Sequence, residues 1–152
     1  MNKSNTIFRI ILLTGVLASM MIYSLHVQGA LPQKETQQWT LEKCVNQFSF
    51  KDTVKTSAGY QYWFADKNFI DGQTLKLSVV KPHDATHAPH KHLEDEFFFV
   101  LEGTAQFYLN GDSVVAHPYA SFYCPSGIEH GISNVGNTEL KYLVIKKYSM
   151  EK

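Results

Sequence analysis

From Gly59 to the C-terminus, short apolar runs alternate with turn signals, and no long helical pattern interrupts them. The sharpest signal is Asn110-Gly111, which stands between Thr104–Leu109 and Asp112–Val115 and predicts a type I′ hairpin. Tyr60–Phe64 is aromatic, and Asp71-Gly72 makes a turn before Leu75–Val80, which alternates with period two. Phe97–Leu101 is a continuous apolar run ending at Gly103, as expected of a strand buried on both faces. His117-Pro118 and Pro125-Ser126-Gly127 bracket a strand at Ala120–Cys124, and Asn134-Val135-Gly136-Asn137 separates Glu129–Ser133 from Glu139–Ile145. Roughly nine strands at 8–12-residue spacing predict an all-β sandwich or barrel over 59–148. Residues 30–58 read as a tether and edge segment, in which Trp39–Val45 fits either a helical turn or the start of an edge strand.

The N-terminus follows different rules. Lys3 and Arg9 flank an apolar run from Ile10 to Leu25, and Val27 and Gly29 stand at the −3 and −1 positions of a cleavage site. That layout predicts a signal peptide over 1–29 and export to the periplasm or the extracellular space. The run is shorter than the about 20 residues a spanning helix wants, so stable membrane insertion is expected only if the signal stays uncleaved as an anchor. The 123 residues after Gly29 contain 12 Lys, no Arg and 14 acids, a net charge of −2. The whole chain is formally neutral, with a pI near 7.1, which removes the electrostatic case for nucleic-acid binding. Export would let Cys44 and Cys124 persist as a disulfide; two buried thiols are the alternative.

Six of the seven histidines lie between His83 and His130. In His90-Lys91-His92-Leu93-Glu94-Asp95-Glu96 the two histidines sit two apart, so an extended backbone points both to one face. A short turn through Leu93–Asp95 would return Glu96 beside them, and His130, after Pro125-Ser126-Gly127, is the obvious fourth donor. Two or three imidazoles and a carboxylate suit a borderline divalent metal with coordination positions left free. His83, His87 and His117 read as loop residues, and Glu94 and Asp95 as solvent-facing turn residues.

His-x-His, three residues, Glu, six residues, Gly (90, 92, 96 and 103) resembles the first cupin motif. Pro125, Gly127, His130 and Asn134 resemble the core of the second. The 15 residues between Gly103 and Tyr119 equal the shortest spacing known between the two motifs. The chain departs from the pattern at two turn glycines, replaced by Asp84 and Tyr119. The resemblance is to a small single-domain, type-2 (conserved-barrel) cupin. It implies a jelly-roll-like barrel, the double-stranded β-helix, with His90, His92, Glu96 and His130 on one divalent transition metal (Fe, Mn, Ni, Zn or Cu) in its mouth.

An ion so held can polarise a carbonyl or activate water, and Fe(II) can bind dioxygen. Proton transfer needs a further acid or base, for which Tyr108, Tyr123 and Glu129 are available. Without arginine, bidentate phosphate recognition is disfavoured, and 18 aromatics in 123 residues favour a neutral or weakly acidic small molecule such as a sugar or uronate. Two readings follow: a metal-dependent enzyme with isomerase- or dioxygenase-like chemistry, or a non-catalytic module that binds a small ligand or metal. The aromatics between Trp39 and Phe64 exceed what one edge can bury, which favours a homodimer over a monomer in which this segment folds back.

Overall fold

The computed structural model describes residues 39–150; the expected signal segment and residues 30–38 lie outside them. Among the described residues no helix is long and apolar enough to cross a membrane. A four-residue helix, α1 (Leu41–Cys44), and a 3-10 turn at Phe50–Asp52 precede nine strands. These are β1 (Val54–Thr56), β2 (Gly59–Ile70), β3 (Gln73–Val80), β4 (Glu96–Glu102), β5 (Ala105–Leu109), β6 (Asp112–Ala116), β7 (Ser121–Cys124), β8 (His130–Asn134) and β9 (Leu140–Lys147). All pairings are antiparallel. One sheet has the order β1-β2-β3-β9-β4-β7 and the other β6-β5-β8, so the strand joining β4 to β3 is the last in sequence. The all-β class stands, and the ambiguous segment at 39–45 supplies one helical turn.

Strand parity decides what faces the interior. Val80, Leu140, Tyr142, Val144, Phe98 and Val100 are buried and lie in register across β3, β9 and β4. Phe107 of the small sheet stacks on Phe122 of the large one at 4.7 Å between ring centroids, closing the core across the sandwich. Phe97–Leu101 corrects the expectation of two-sided burial: Phe98 and Val100 are buried, but Phe97 is 47% exposed. Its ring lies 5.0 Å from that of Tyr123, its register partner on β7, on the outer face. A run of aromatics hides the alternation because both faces of β4 carry rings.

Residues 46–50 fold back on the other end of that sheet. The Tyr62 hydroxyl meets the Asn46 side chain at 2.5 Å and the Gln47 carbonyl at 2.9 Å, while Phe48 packs edge-on against both Phe50 and Tyr62. Tyr62 is thereby buried on a face where its strand neighbours are only partly so. Of the aromatics between Trp39 and Phe64, Tyr62 is buried, while Trp39, Phe48 and Phe50 stay exposed.

Turn chemistry positions the loops that carry the site. Asn110 and Gly111 both have positive φ, 49° and 100°, as a type I′ hairpin requires. Tyr119, which replaces a glycine of the second motif, keeps the left-handed backbone at φ 71°. At the first motif His83 takes φ 56°, one residue before Asp84. Gly103 has no such latitude: at φ 89°, a Cβ there would sit 2.5 Å from the Glu139 carbonyl oxygen. Asn134, 1% exposed, ties the end of β8 to its surroundings. Its amide Nδ2 donates toward the carbonyls of Val80, Lys81 and Thr138 at 2.8–3.0 Å, and its Oδ1 accepts the Gly136 N–H at 2.9 Å.

Candidate metal centre

The four expected donors come together at one end of the sandwich, supplied by both sheets and by the connection from β3 to β4. His90 and His130 exchange both backbone hydrogen bonds, each at 3.0 Å. Residues directly opposite in an antiparallel pair share a face, so the inward side chain of His130 brings that of His90 with it. Gly131 leaves room for this approach, since a Cβ there would lie 3.3 Å from Pro89. The turn through 92–95 is then fastened to the second motif. Gly127 N–H donates to the His92 carbonyl at 2.8 Å, the Ser126 hydroxyl to the Leu93 carbonyl at 2.7 Å, and Ser126 N–H to Asp95 Oδ1 at 2.9 Å. Glu96 opens β4 with its carboxylate 91% buried.

The donor atoms converge closely. His92 Nε2 is 3.1 Å from His130 Nε2 and 3.2 Å from Glu96 Oε2, and His130 Nε2 is 3.4 Å from the same oxygen. His90 joins His92 and His130 in one group of donors within 4.8 Å of one another. His130 Nδ1 faces the Ile128 carbonyl at 2.8 Å and donates its hydrogen there, which leaves Nε2 as a lone pair aimed at the other donors. The Nδ1 atoms of His90 and His92 are buried with no hydrogen-bond partner. Burial above all, and then the neighbouring His87, His130 and His92, hold the His90 imidazole below its ordinary pKa against the opposing pull of Glu96. A neutral imidazole is the form that binds a metal. Donors about 2.1 Å from a common ion stand about 3 Å apart at right angles. The residues therefore fit a divalent cation.

Three residues near the centre escaped the sequence reading. Cys124 is fully buried opposite Glu96 in register, and its sulfur lies with Glu96 and His130 donors in a second group within 4.8 Å. Burial, and then the Glu96 charge, push its thiol up to about 12; Cys44, the other free thiol, is exposed. Glu94 does not face away as expected. Its Oε2 lies 3.6 Å from both His92 Nδ1 and Lys146 Nζ, with the lysine side chain only 10% exposed. The period-two run Leu140, Tyr142, Val144, Lys146 carried that signal, since its first three members are core.

The proposed acid–base groups turn away. The Tyr108 hydroxyl donates to Glu129 at 2.9 Å, and Tyr108 alternates with the inward Phe107. Tyr123, beside the exposed Phe97, donates to Asp95 at 2.9 Å. The phenol that does face the interior is Tyr142, 3% exposed, its oxygen 3.2 Å from Thr86 Oγ1. His87 is exposed, with its ring edge-on to His90 at 4.3 Å between centroids; His83 is exposed and bonds Asn137 at 2.9 Å.

Residues 76–146 match the family model of the cupin domain, and similar structures share this fold. Among similar structures, a predicted oxalate decarboxylase from Thermotoga maritima is 25% identical, with a TM-score of 0.55 over 58% of this chain and 78% of its own. A cupin 2 conserved barrel domain protein from Salinispora arenicola is 15% identical, with a TM-score of 0.58 over 68% of this chain and 87% of its own. A sugar phosphate isomerase of the cupin superfamily from Silicibacter pomeroyi is 19% identical, with a TM-score of 0.55 over 59% of each chain. No curated protein matches the sequence.

Proposed function

We propose that this chain is an exported cupin that holds one divalent transition metal through His90, His92, Glu96 and His130 and acts on a small oxygenated molecule such as a sugar or uronate. The observation that carries the proposal is the convergence of three donor atoms within 3.1–3.4 Å beside two buried, partnerless imidazole nitrogens. Buried acceptor atoms crowded together are costly, and a cation at the common focus of His92 Nε2, His130 Nε2 and Glu96 Oε2 removes that cost. A bound ion would supply Lewis-acid polarisation of a substrate oxygen, which suits isomerase- or dioxygenase-like chemistry. The protein's own part is to hold the His90 pKa down, to aim His130 through the Ile128 carbonyl, and to bury the Glu96 carboxylate beside them.

The test is elemental analysis of natively purified chain. We expect close to one metal per chain, lost in His92→Ala and kept in His87→Ala. Equal metal in wild type and His92→Ala would refute the site. A sugar and oxygen-uptake screen then separates the enzyme from a second reading, a non-catalytic binding module. That reading is favoured by one observation, that Tyr108, Tyr123 and Glu129 all engage partners on outer faces. Export to the periplasm or outside the cell, and pairing into a homodimer, belong to the same proposal. Light scattering on the chain from Leu31 tests the pairing: twice the single-chain mass is expected, and one chain mass at tens of micromolar refutes it.

A further inference from the structure

We propose that Lys76 is an anion-binding group of the barrel interior and that the molecule taken there is a small carboxylic acid. The inference deepens the function proposed above and rests on Glu96 being a metal donor. Lys76 sits opposite Val144 on β9, and Val144 opposite Phe98 on β4; both partners are buried. The lysine therefore shares the inward face. One step along the same face, toward the candidate metal centre, Thr74, Lys146, Glu96 and Cys124 form the next row across β3, β9, β4 and β7.

Its ammonium lies 5.0 Å from the centre of the Trp63 ring, which favours a cation. Among the described residues no carboxylate stands within ion-pair distance of it. The carboxylate whose charge acts on it, Glu96, is engaged with the histidines. Burial, the largest influence, holds the Lys76 pKa below its ordinary value, and Lys146 adds to this while Glu96 opposes it. With a metal on Glu96, Lys76 is the interior cation left without a counter-charge. A half-buried charge with no partner is costly, and an anion brought by the ligand supplies the partner. One ammonium, with no arginine after Arg9, suits the single charge of a carboxylate better than phosphate, which favours guanidinium forks and several donors.

The test compares glucuronate with glucose, which share a ring and differ in the carboxylate, by calorimetry on the metal-analysed full chain. Glucuronate should bind at least about tenfold more tightly than glucose, the range of a charge-assisted hydrogen bond, and should weaken as salt rises. Lys76→Met should erase that preference with metal content and melting temperature unchanged, Lys76→Arg should keep it, and Lys51→Met, on the exposed 3-10 turn, should not alter it. Should the methionine variant melt early, Lys76→Gln and the salt dependence of the wild type carry the same reading. Equal binding of the two sugars, no binding of glucuronate, or full glucuronate affinity in Lys76→Met would overturn the proposal. Elemental analysis keeps the two readings apart, because a chain without metal that still binds glucuronate through Lys76 refutes only the metal.

Discussion

Asn134 offers a sharp test of how the second motif is held, because one buried amide serves four backbone groups. Asn134→Ala removes the two amide hydrogens shared among the carbonyls of Val80, Lys81 and Thr138 and the acceptor of the Gly136 N–H, all 2.8–3.0 Å from it. A net hydrogen bond contributes about 1 kcal/mol, and a buried group left unpaired costs about 1–3 kcal/mol. With water able to reach the Thr138 and Gly136 side, the loss should come to about 3–5 kcal/mol. That is a large fraction of the about 5–15 kcal/mol that holds a domain together. Asn134→Asp sharpens the reasoning. It keeps the shape but sets a carboxylate against three carbonyl oxygens, so its pKa in the folded chain must rise above the about 3.9 of the unfolded one. A raised pKa gives stability that is present at low pH and lost as pH rises through it. The aspartate variant should thus be more destabilised at pH 7 than at pH 4, while the alanine variant shows little such dependence. Urea denaturation at both pH values reads this. A loss under 1 kcal/mol for Asn134→Ala, or no difference between the two pH values for Asn134→Asp, would refute the account.

Glu94→Gln removes the charge between His92 and Lys146 and should weaken metal binding about 10–100-fold; competition with a chelator measures it, and a change under twofold counts against a supporting role. Acidification should release metal as protons compete for the imidazole nitrogens; the lowered His90 pKa delays its protonation, so retention should persist through the ordinary value near 6.5 and decline only below it. Metal held undiminished to about pH 4 would argue against histidine donors. Gly103→Ala must place a Cβ against the Glu139 carbonyl at a left-handed φ and should cost about 2–4 kcal/mol; an unfolding midpoint equal to wild type would contradict the steric argument.

The strands were readable because each carries its own punctuation. Asn110-Gly111 allows one tight turn, and Pro125-Ser126-Gly127 one sharp approach to His130. The donor set was readable for a related reason: His90, His92 and Glu96 lie within seven residues, and motif spacing supplies His130. What lay beyond reach depends on strand order. Lys146 meets Glu94, and Cys124 meets Glu96, only because β9 and β7 flank β4, pairings that join residues 28 to 52 positions apart. Phe97 misled because hydrophobicity alone does not tell a core ring from one stacked on Tyr123 at the surface. Tyr108 and Tyr123 looked available for catalysis until parity placed them on outer faces.

The candidate donors belong to different layers: Glu96 to the large sheet, His130 to the small one, and His90 and His92 to the β3–β4 connection, which pairs with His130. An ion gripped by all of them would act as a clasp between sheets that are otherwise held by aromatic packing such as Phe107 on Phe122. Opening of the sandwich would then require release of the ion, so free metal opposes opening in proportion to 1 + [metal]/Kd. Amide hydrogens along β5 and β8 would exchange more slowly as the ion is supplied, while those of β1, at the far edge of the large sheet, would keep their rate.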